Sequence, residues 1–343
     1  MTTTDVTGGT GKAVPTGGAN PVDVPLDAVE AETEGVTRGK LVLRRFLRNR
    51  LALTGLVILV LLYALSLTSP LFAPWRYDEY DYLSFLQGPS ASHWFGTSQI
   101  GEDVFAQTMR GLQRSLTIGL LTAAISIVIA SVVGACAGYF GGWVDRGLMW
   151  VVDLLLVLPS FLIIAVISPA LRGSSWILFV LLLGMFAWMI TARILRGMTL
   201  TLREREFVKA ARFMGAPSGL IIRRHILPNM ASLMIIDVTI TVGSTILLET
   251  GLSYFGFGVQ PPDVSLGTLI RDGSTAALTT PWLFLFAGGL LVVSVLAVNF
   301  IGDGLRDALD PNARRGRKVR HDEDPDVEVE RPRTPRARQE EPS

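Results

Sequence analysis

The chain has 343 residues, of which 49% are hydrophobic and only 18% charged, and its formal net charge is +1. Soluble domains carry about a quarter charged residues, so this composition favours a membrane protein, while the net charge argues neither for nor against an acidic partner. The single cysteine, Cys136, excludes an intrachain disulfide bond and a cluster of thiolates around a metal ion.

Two polar segments lie at the ends of the chain. Residues 1–37 are rich in Gly, Thr, Pro and acidic side chains, and residues 313–343 in Arg, Asp, Glu and Pro. Such segments cannot bury enough apolar surface to fold, so both are predicted to be disordered tails. The fragment GGTGKAV does not qualify as a phosphate-binding loop, because Val6 and Ala13 replace its first glycine and its Ser/Thr.

Six apolar segments between these tails are long enough to cross a membrane, which takes about 20 mostly apolar residues. They cover residues 51–69, 115–139, 148–168, 176–192, 231–250 and 282–302. Their connections place 21 Lys and Arg residues on one side and five on the other. Basic residues collect on the cytoplasmic side, so both termini and the connection 193–229 are predicted to be cytoplasmic.

Three acidic residues lie inside the predicted spans, where charges are costly and often functional. They are Asp153, Asp237 and Glu249. One interpretation is structural pairing, for instance with Arg193 or Arg196, and the other is contact with a substrate or a gate. The glycine pairs Gly134/Gly138 and Gly288/Gly289 likewise leave two alternatives open, which are helix packing within this chain and pairing with a second membrane subunit.

The connection 193–229 has a pattern of its own. Residues 201–215 are good helix sequence with an alanine pair that leaves little bulk on one face, so that another surface can approach closely. Gly215 suits a helix C-terminus, and Ala216-Pro217 makes the chain turn, because proline disfavours helix in the residue before it. A second short helical piece follows, and Pro228 is predicted to open the fifth span. The product is a basic helix–turn–helix attached directly to a span.

This connection resembles a known family. Ala210-Ala211, Gly215 and Leu227-Pro228 match the EAA---G---------I-LP loop of the membrane subunits of ABC importers, including the distance of thirteen residues from glycine to proline. The resemblance implies that the loop forms a coupling helix, which docks into a groove on the ATPase subunit.

Two positions depart from the family motif. Lys209 stands where glutamate is usual and His225 where isoleucine is usual, while Glu206, one turn earlier, offers an alternative acidic contact. The resemblance therefore assigns coupling to Glu206, Lys209, Ala210, Ala211, Gly215, Ala216, Pro217, Leu227 and Pro228.

Three further segments narrow the resemblance to the peptide and nickel importer subfamily, and within it to the "C"-type chain of the oligopeptide and dipeptide permeases. They are HWFGTSQIGEDVFAQTMRGLQRSL (93–116), LETGLSYFGFGVQPPDVSLGTLI (248–270) and GDGLRDALDP (302–311). The resemblance implies an all-α membrane protein with six transmembrane helices and the type I ABC importer permease fold. Residues 38–114 would form an amphipathic segment, the first span and an external loop, and residues 115–312 a five-helix core that includes the coupling loop 193–229.

The partners are also implied by the resemblance. They are a second homologous permease subunit, two ABC ATPase subunits that bind ATP and Mg, membrane lipid, and an extracytoplasmic binding protein that contacts residues 70–114 and 251–281. No cofactor or metal in this chain and no nucleic-acid partner are expected, and the location is a bacterial cell membrane. Short peptides are the implied substrate, with nickel chelates or another small solute as the alternative.

Two other classes of function are alternatives to an importer subunit. An ion-gradient carrier acting alone would use Asp153, Asp237 and Glu249 for the coupling ion, and its uptake would persist without ATPase subunits. A membrane-anchored enzyme would need a polar catalytic cluster, and Ser, His and Asp residues form no recognisable nucleophile pattern in the sequence. The sequence therefore favours a permease subunit that is not itself an enzyme.

Overall fold

A computed structural model describes residues 38–171 and 175–309 of the protein. The two predicted tails, residues 1–37 and 313–343, lie outside the described residues. The chain divides into one unit up to Leu41 and a second unit from Val42 onward. All contacts given below are within the second unit.

The long regular elements of these residues are all helical, which confirms the predicted all-α class. They are α1 (Arg38–Phe46), α2 (Arg50–Phe72), α3 (Val104–Phe140), α4 (Gly142–Val157), α5 (Ser160–Ile167), α6 (Trp176–Ala187), α7 (Met189–Arg203), α8 (Glu206–Phe213), α9 (Ser218–Ile221), α10 (Leu227–Tyr254), α11 (Leu266–Ser274) and α12 (Trp282–Leu309). A 3₁₀ turn at Ser168–Leu171 follows α5, and a π-helical turn at Ile222–Ile226 joins α9 to α10.

Four single helical segments are long and apolar enough to cross a membrane, namely α2, α3, the run Ser218–Tyr254 and α12. Two bent pairs raise the number to six if each pair is one span. These are α4 with the segment Ser160–Ala170, bent by 77°, and α6 with α7, bent by 44°. The six predicted spans thus correspond to four continuous helices and two broken ones.

Each bend has a local cause. Leu158 is extended (φ −76°, ψ 129°) because Pro159 follows it and disfavours the helical conformation there. Between α6 and α7, the indole N–H of Trp188 donates to the backbone oxygen of Met185 over 2.9 Å. That oxygen would accept from the N–H of Met189 in an unbroken helix.

Two elements differ from the predicted boundaries. Helix α3 begins at Val104, eleven residues before the predicted span, because the carboxylate of Asp103 caps it by accepting from the N–H of Ala106 over 2.8 Å. The domain boundary expected at residue 114 therefore falls inside a helix. Helix α11 was not predicted, since its nine residues are far too few to cross a membrane.

The connection between α7 and α10 also differs in detail. The predicted helix over 201–215 is interrupted at residues 204–205, between the end of α7 and the start of α8. Pro228 is the second residue of α10, as expected, but the helix does not start there. In the π-helical turn, the N–H of Leu227 bonds the oxygen of Ile222. This turn joins α9 to α10, so the helical run begins at Ser218 although Pro228 has no N–H to donate.

Helix α3 lies at the centre of the packing and meets α7 through two glycines. A Cβ atom added to Gly134 would lie 2.6 Å from the oxygen of Ala192, and one on Gly138 would lie 2.6 Å from the Cβ of Thr199. This confirms that the first glycine pair packs helices within this chain. Gly288 approaches only Phe284 of its own helix, and a Cβ on Gly289 would meet nothing within 4 Å in the described part of the chain.

Candidate functional site

The basic connection folds into a helical hairpin made of α8, the turn 214–217 and α9, here called the α8–α9 hairpin. Gly215 has φ +78°, a conformation that costs other residues more than glycine. Its N–H bonds the oxygen of Arg212 over 3.0 Å, and the N–H of Ala216 bonds that of Ala211 over 3.1 Å. These two bonds form a Schellman motif, which confirms the predicted helix end and sets the direction in which α9 leaves.

One face of the hairpin is buried against the spans. Val208 and Ala211 of α8 join Ile221 and Ile226 in a hydrophobic cluster that also contains residues of α3, α4, α7 and α10. Ala211 is only 3% exposed, whereas Ala210 is exposed. The small side chain of Ala211 therefore permits close packing inside the protein, and the expectation that the alanine pair offers one open face to another surface is wrong for this residue.

The opposite face carries large apolar side chains at the tip of the hairpin. Phe213 is 91% exposed and Met214 is 81% exposed, and Phe207 and Leu220 are exposed nearby. Scattered surface hydrophobics are common, but Phe213 and Met214 are consecutive residues at the end of α8, where the turn of the hairpin begins. Such a tip is suited to insertion into a groove of another protein.

Charged residues at the base of the hairpin pair with one another. The Lys209 ammonium lies 3.2 Å from Glu204 Oε2, and the guanidinium of Arg203 lies 3.4 Å from Glu204 Oε1. The hydrogen bond from Lys209 holds the pKa of the Glu204 carboxyl below its usual value. Lys209, which stands at the position of the family glutamate, thus has a partner inside this chain. Glu206 is exposed in the first turn of α8, where an acidic side chain interacts favourably with the helix dipole.

The hairpin is tied to two spans at its base. Arg203, at the end of α7, donates to the backbone oxygens of Gly138 and Tyr139 over 3.2 and 3.3 Å. These oxygens belong to the last turn of α3, which lacks intrahelical donors. The end of α7 that leads into the hairpin is therefore joined to the end of α3.

Asp153 and Arg193 form an ion pair between α4 and α7, and both side chains are more than half exposed. A second pair joins the same helices, in which Arg196 Nη2 donates to Asp145 Oδ2 over 2.6 Å. Of the two arginines considered as partners of Asp153, the structure places Arg193 against it.

The other two intramembrane acids have different surroundings. Asp237 accepts a hydrogen bond from Thr191 Oγ1 over 2.9 Å and is half-buried. Glu249 is fully buried and accepts from Ser115 Oγ over 2.9 Å and Ser253 Oγ over 2.6 Å. The two acids are twelve residues apart on one helix, about 18 Å along its axis, so they do not share a site.

A charged cluster that sequence reasoning missed lies in the segment between α2 and α3. His93 is 1% exposed; its Nδ1 lies 2.9 Å from Asp103 Oδ2 and its Nε2 lies 3.3 Å from Asp81 Oδ2. Its ring also stacks on Trp75, with 5.0 Å between centroids. Each ring nitrogen of His93 thus faces a carboxylate oxygen within hydrogen-bond distance. The pattern His-x₉-Asp was visible in the sequence, but the contribution of Asp81 depends on the folding of the loop.

We expect His93→Phe to destabilise this segment strongly. The substitution keeps a ring beside Trp75 but removes the ring nitrogen that faces the buried carboxylate of Asp103. A buried polar group that loses its hydrogen-bond partner costs about 1–3 kcal/mol, and a charged group costs more. Thermal unfolding of the purified protein in mild detergent measures the loss, with Ser92→Ala, at an exposed neighbour, as the control. Equal melting temperatures for both variants and the natural protein would contradict the prediction.

The chain is similar to several known proteins. The chain is 54% identical over 287 residues to the oligopeptide transport system permease protein OppC of Mycobacterium tuberculosis strain H37Rv, covering 83% of this chain and 99% of that relative. It is 34% identical over 291 residues to OppC of Bacillus subtilis strain 168, covering 84% and 94%. A chain of the inward-facing MetNI methionine ABC transporter is 20% identical with a TM-score of 0.49, covering 60% of this chain and 97% of that chain.

Two family models match the chain. One, described as the N-terminal TM domain of oligopeptide transport permease C, matches residues 37–89. The other, described as the binding-protein-dependent transport system inner membrane component, matches residues 126–315, more than half of the chain. This second match contains the α8–α9 hairpin together with the spans on either side of it. The chain is therefore a multi-pass membrane protein that belongs to the family of binding-protein-dependent transport system inner membrane components.

Proposed function

We propose that this chain is one of two homologous permease subunits of an ATP-driven importer for short peptides, in a bacterial cell membrane. It is a transport subunit and not an enzyme; ATP hydrolysis lies in separate subunits. The assignment to peptides follows from the names of the relatives, which are oligopeptide and peptide permeases. An extracytoplasmic binding protein would deliver the peptide, and two ATPase subunits would bind ATP and Mg.

The observation that carries this proposal is the α8–α9 hairpin with its exposed tip of Phe213 and Met214. The tip would enter a groove on an ATPase subunit, while the buried face belongs to the same hydrophobic cluster as α7 and α10. Closure of the two ATPase subunits on ATP would then move the hairpin and these spans as one body. This is coupling through a rigid element, and it requires no nucleotide site in this chain.

The orientation proposed from the sequence suits this mechanism. The hairpin carries exposed Arg212, and Arg223 and Arg224 follow it in the π-helical turn. Basic residues of this kind stay on the cytoplasmic side, where ATPase subunits are found. Both termini lie on that side if the six segments cross the membrane.

Among the three acids, we assign Asp153 to the translocation path. Its pair with Arg193 is more than half exposed on the surface of this chain, and ionic groups at membrane depth face a water-filled cavity or the interior of a bundle rather than lipid. Glu249 has no exposed surface, which favours a packing role. Asp237 is half-buried beside Thr191, so its exposure lies between those of Asp153 and Glu249.

The proposal is tested by purifying the tagged chain from its native membrane in mild detergent and identifying what comes with it. We expect a second six-helix permease and ABC ATPases, and we expect the reconstituted complex to take up short peptides only with ATP. Uptake of nickel chelates but not peptides would show that the importer is specific for nickel chelates. Recovery of the chain alone, with uptake that follows an ion gradient and needs no ATPase, would overturn the proposal in favour of a carrier.

A further inference from the structure

A cavity of about 910 Å³ lies at the end of the spans opposite the α8–α9 hairpin. Four parts of the chain line it: the segment between α2 and α3, the first turn of α3, the stretch from residue 261 through residue 275, and the start of α12. Its size is at the upper end of the range for small-molecule sites, which is about 300–1,000 Å³. The apolar part of the lining includes Tyr77, Tyr80, Ile100, Val104 and Leu269.

The walls of this cavity are held in place by close packing. A Cβ atom on Gly273 of α11 would lie 2.5 Å from the oxygen of Leu283, and one on Gly111 of α3 would lie 3.0 Å from the carbonyl carbon of Ser265. Helix α11 is therefore fixed against both α3 and α12. The cavity is built into the fold, as ligand sites generally are.

Most of the carboxylates in the lining are paired with arginine. Asp263 is bound by the guanidinium groups of Arg110 and Arg114, each at 3.0 Å. Asp78 lies 3.2 Å from Arg76. Asp272 lies 2.9 Å from Arg271.

Glu102 is the exception. It accepts from Ser98 Oγ over 3.2 Å, and no Lys, Arg or His of residues 42–170 and 175–309 forms an ion pair with it. Burial raises the pKa of its carboxyl, and the negative charge of Asp272 adds to the effect, although hydrogen bonds from Gln107 and Ser98 oppose it. A cation in the cavity would offset both the cost of burying the negative charge of Glu102 and its repulsion from Asp272.

We propose that this cavity binds the amino-terminal end of a substrate peptide, with the α-ammonium group of the peptide against Glu102. The ammonium supplies the missing counter-charge and donates hydrogen bonds to the carboxylate. Tyrosine and aliphatic side chains of the lining contact the first peptide side chains without selecting among them. The inference rests on the proposed function, because it takes peptides as the substrate class.

The test uses the complete permease–ATPase complex in lipid nanodiscs without the binding protein, and two probes, pentaalanine and N-acetyl-pentaalanine. Isothermal titration is expected to show that acetylation weakens binding about tenfold, the usual scale for a hydrogen bond to a charged group. Glu102→Gln is expected to weaken binding of pentaalanine by a similar factor and to leave binding of the acetylated peptide unchanged. Glu79→Gln, at an exposed acid of the same segment outside the cavity lining, is the matched control.

The outcomes separate this inference from the proposed function. ATP-driven peptide uptake by the natural complex, combined with equal binding of both probes or with no effect of Glu102→Gln, overturns the cavity assignment and leaves the importer intact. The cavity assignment is also overturned if Glu102→Gln weakens docking of the binding protein but not binding of pentaalanine. The occupant of the cavity is then a basic segment of the binding protein. Absence of peptide uptake by the natural complex contradicts the proposed function itself.

Discussion

Replacement of both Phe213 and Met214 by aspartate is expected to lower ATP-driven uptake by a factor of about 100 or more, while the chain remains folded and inserted. Both side chains are almost fully exposed at the tip of the α8–α9 hairpin, so the substitutions remove little packing within this chain. In a docked complex they would place two carboxylates in an apolar groove, where unpaired charges are strongly disfavoured. Uptake by reconstituted complexes and co-purification of the ATPase subunits measure the effect.

Two further variants separate docking from folding. Leu278→Asp introduces the same charge at a fully exposed residue between α11 and α12, and it is expected to leave co-purification of the ATPase subunits unchanged. Ala211→Glu also abolishes uptake, but it places a carboxylate inside the cluster around Val208 and Ile221 and should lower the melting temperature too. Normal uptake by the Phe213→Asp, Met214→Asp variant would rule out the hairpin as the docking element.

The second large effect is expected for Gly138→Leu. A Cβ on Gly138 meets the Cβ of Thr199 at 2.6 Å and the oxygen of Arg196 at 2.8 Å, so the side chain fits only if α3 and α7 move apart. Overpacking of this kind costs about 3 kcal/mol or more. The expected fall in melting temperature is roughly 10 °C, together with loss of the bonds from Arg203 to the end of α3.

Gly197→Leu is the matched control, because it adds the same side chain to α7 at an exposed position where a Cβ meets nothing within 4 Å of the described residues. Leucine also favours helix more than glycine. We expect Gly197→Leu to melt at the same temperature as the natural chain or higher. An undiminished melting temperature for Gly138→Leu would show that the two helices do not rely on this close approach.

Much of the hairpin could be predicted before its structure was known. A positive φ at Gly215 and a turn at Ala216-Pro217 are local properties, set by the absence of a Cβ atom and by the proline ring. The break at residues 204–205 was not predictable in this way, because no proline or glycine is found there. Nor could helix periodicity tell that Ala211 faces inward, since that depends on where α7 and α10 cross the hairpin.

The external part of the molecule was the least predictable. Helix α11 has too few residues for a span, and it is stabilised by a capping box at Ser265 and by close packing of Gly267 and Gly273 on neighbouring helices. His93 acquires its two carboxylate partners only when residues 81 and 103 come together. Asp78 and Asp272 pair with arginines beside them in the sequence, whereas the arginines that bind Asp263, another carboxylate of the cavity, are about 150 positions away in the chain.

Sequence alone determined that this is a membrane protein, how many apolar segments it has and where the hairpin lies. These follow from composition, from the length needed to cross a membrane and from the backbone preferences of glycine and proline, all of which act over a few neighbouring residues. Tertiary structure alone decided which side chains of the hairpin are buried, which acids have partners, and where a cavity with an unpaired carboxylate remains. Those properties arise from contacts between residues far apart in the chain, such as Ser115 with Glu249 and Arg114 with Asp263, and no local pattern specifies them.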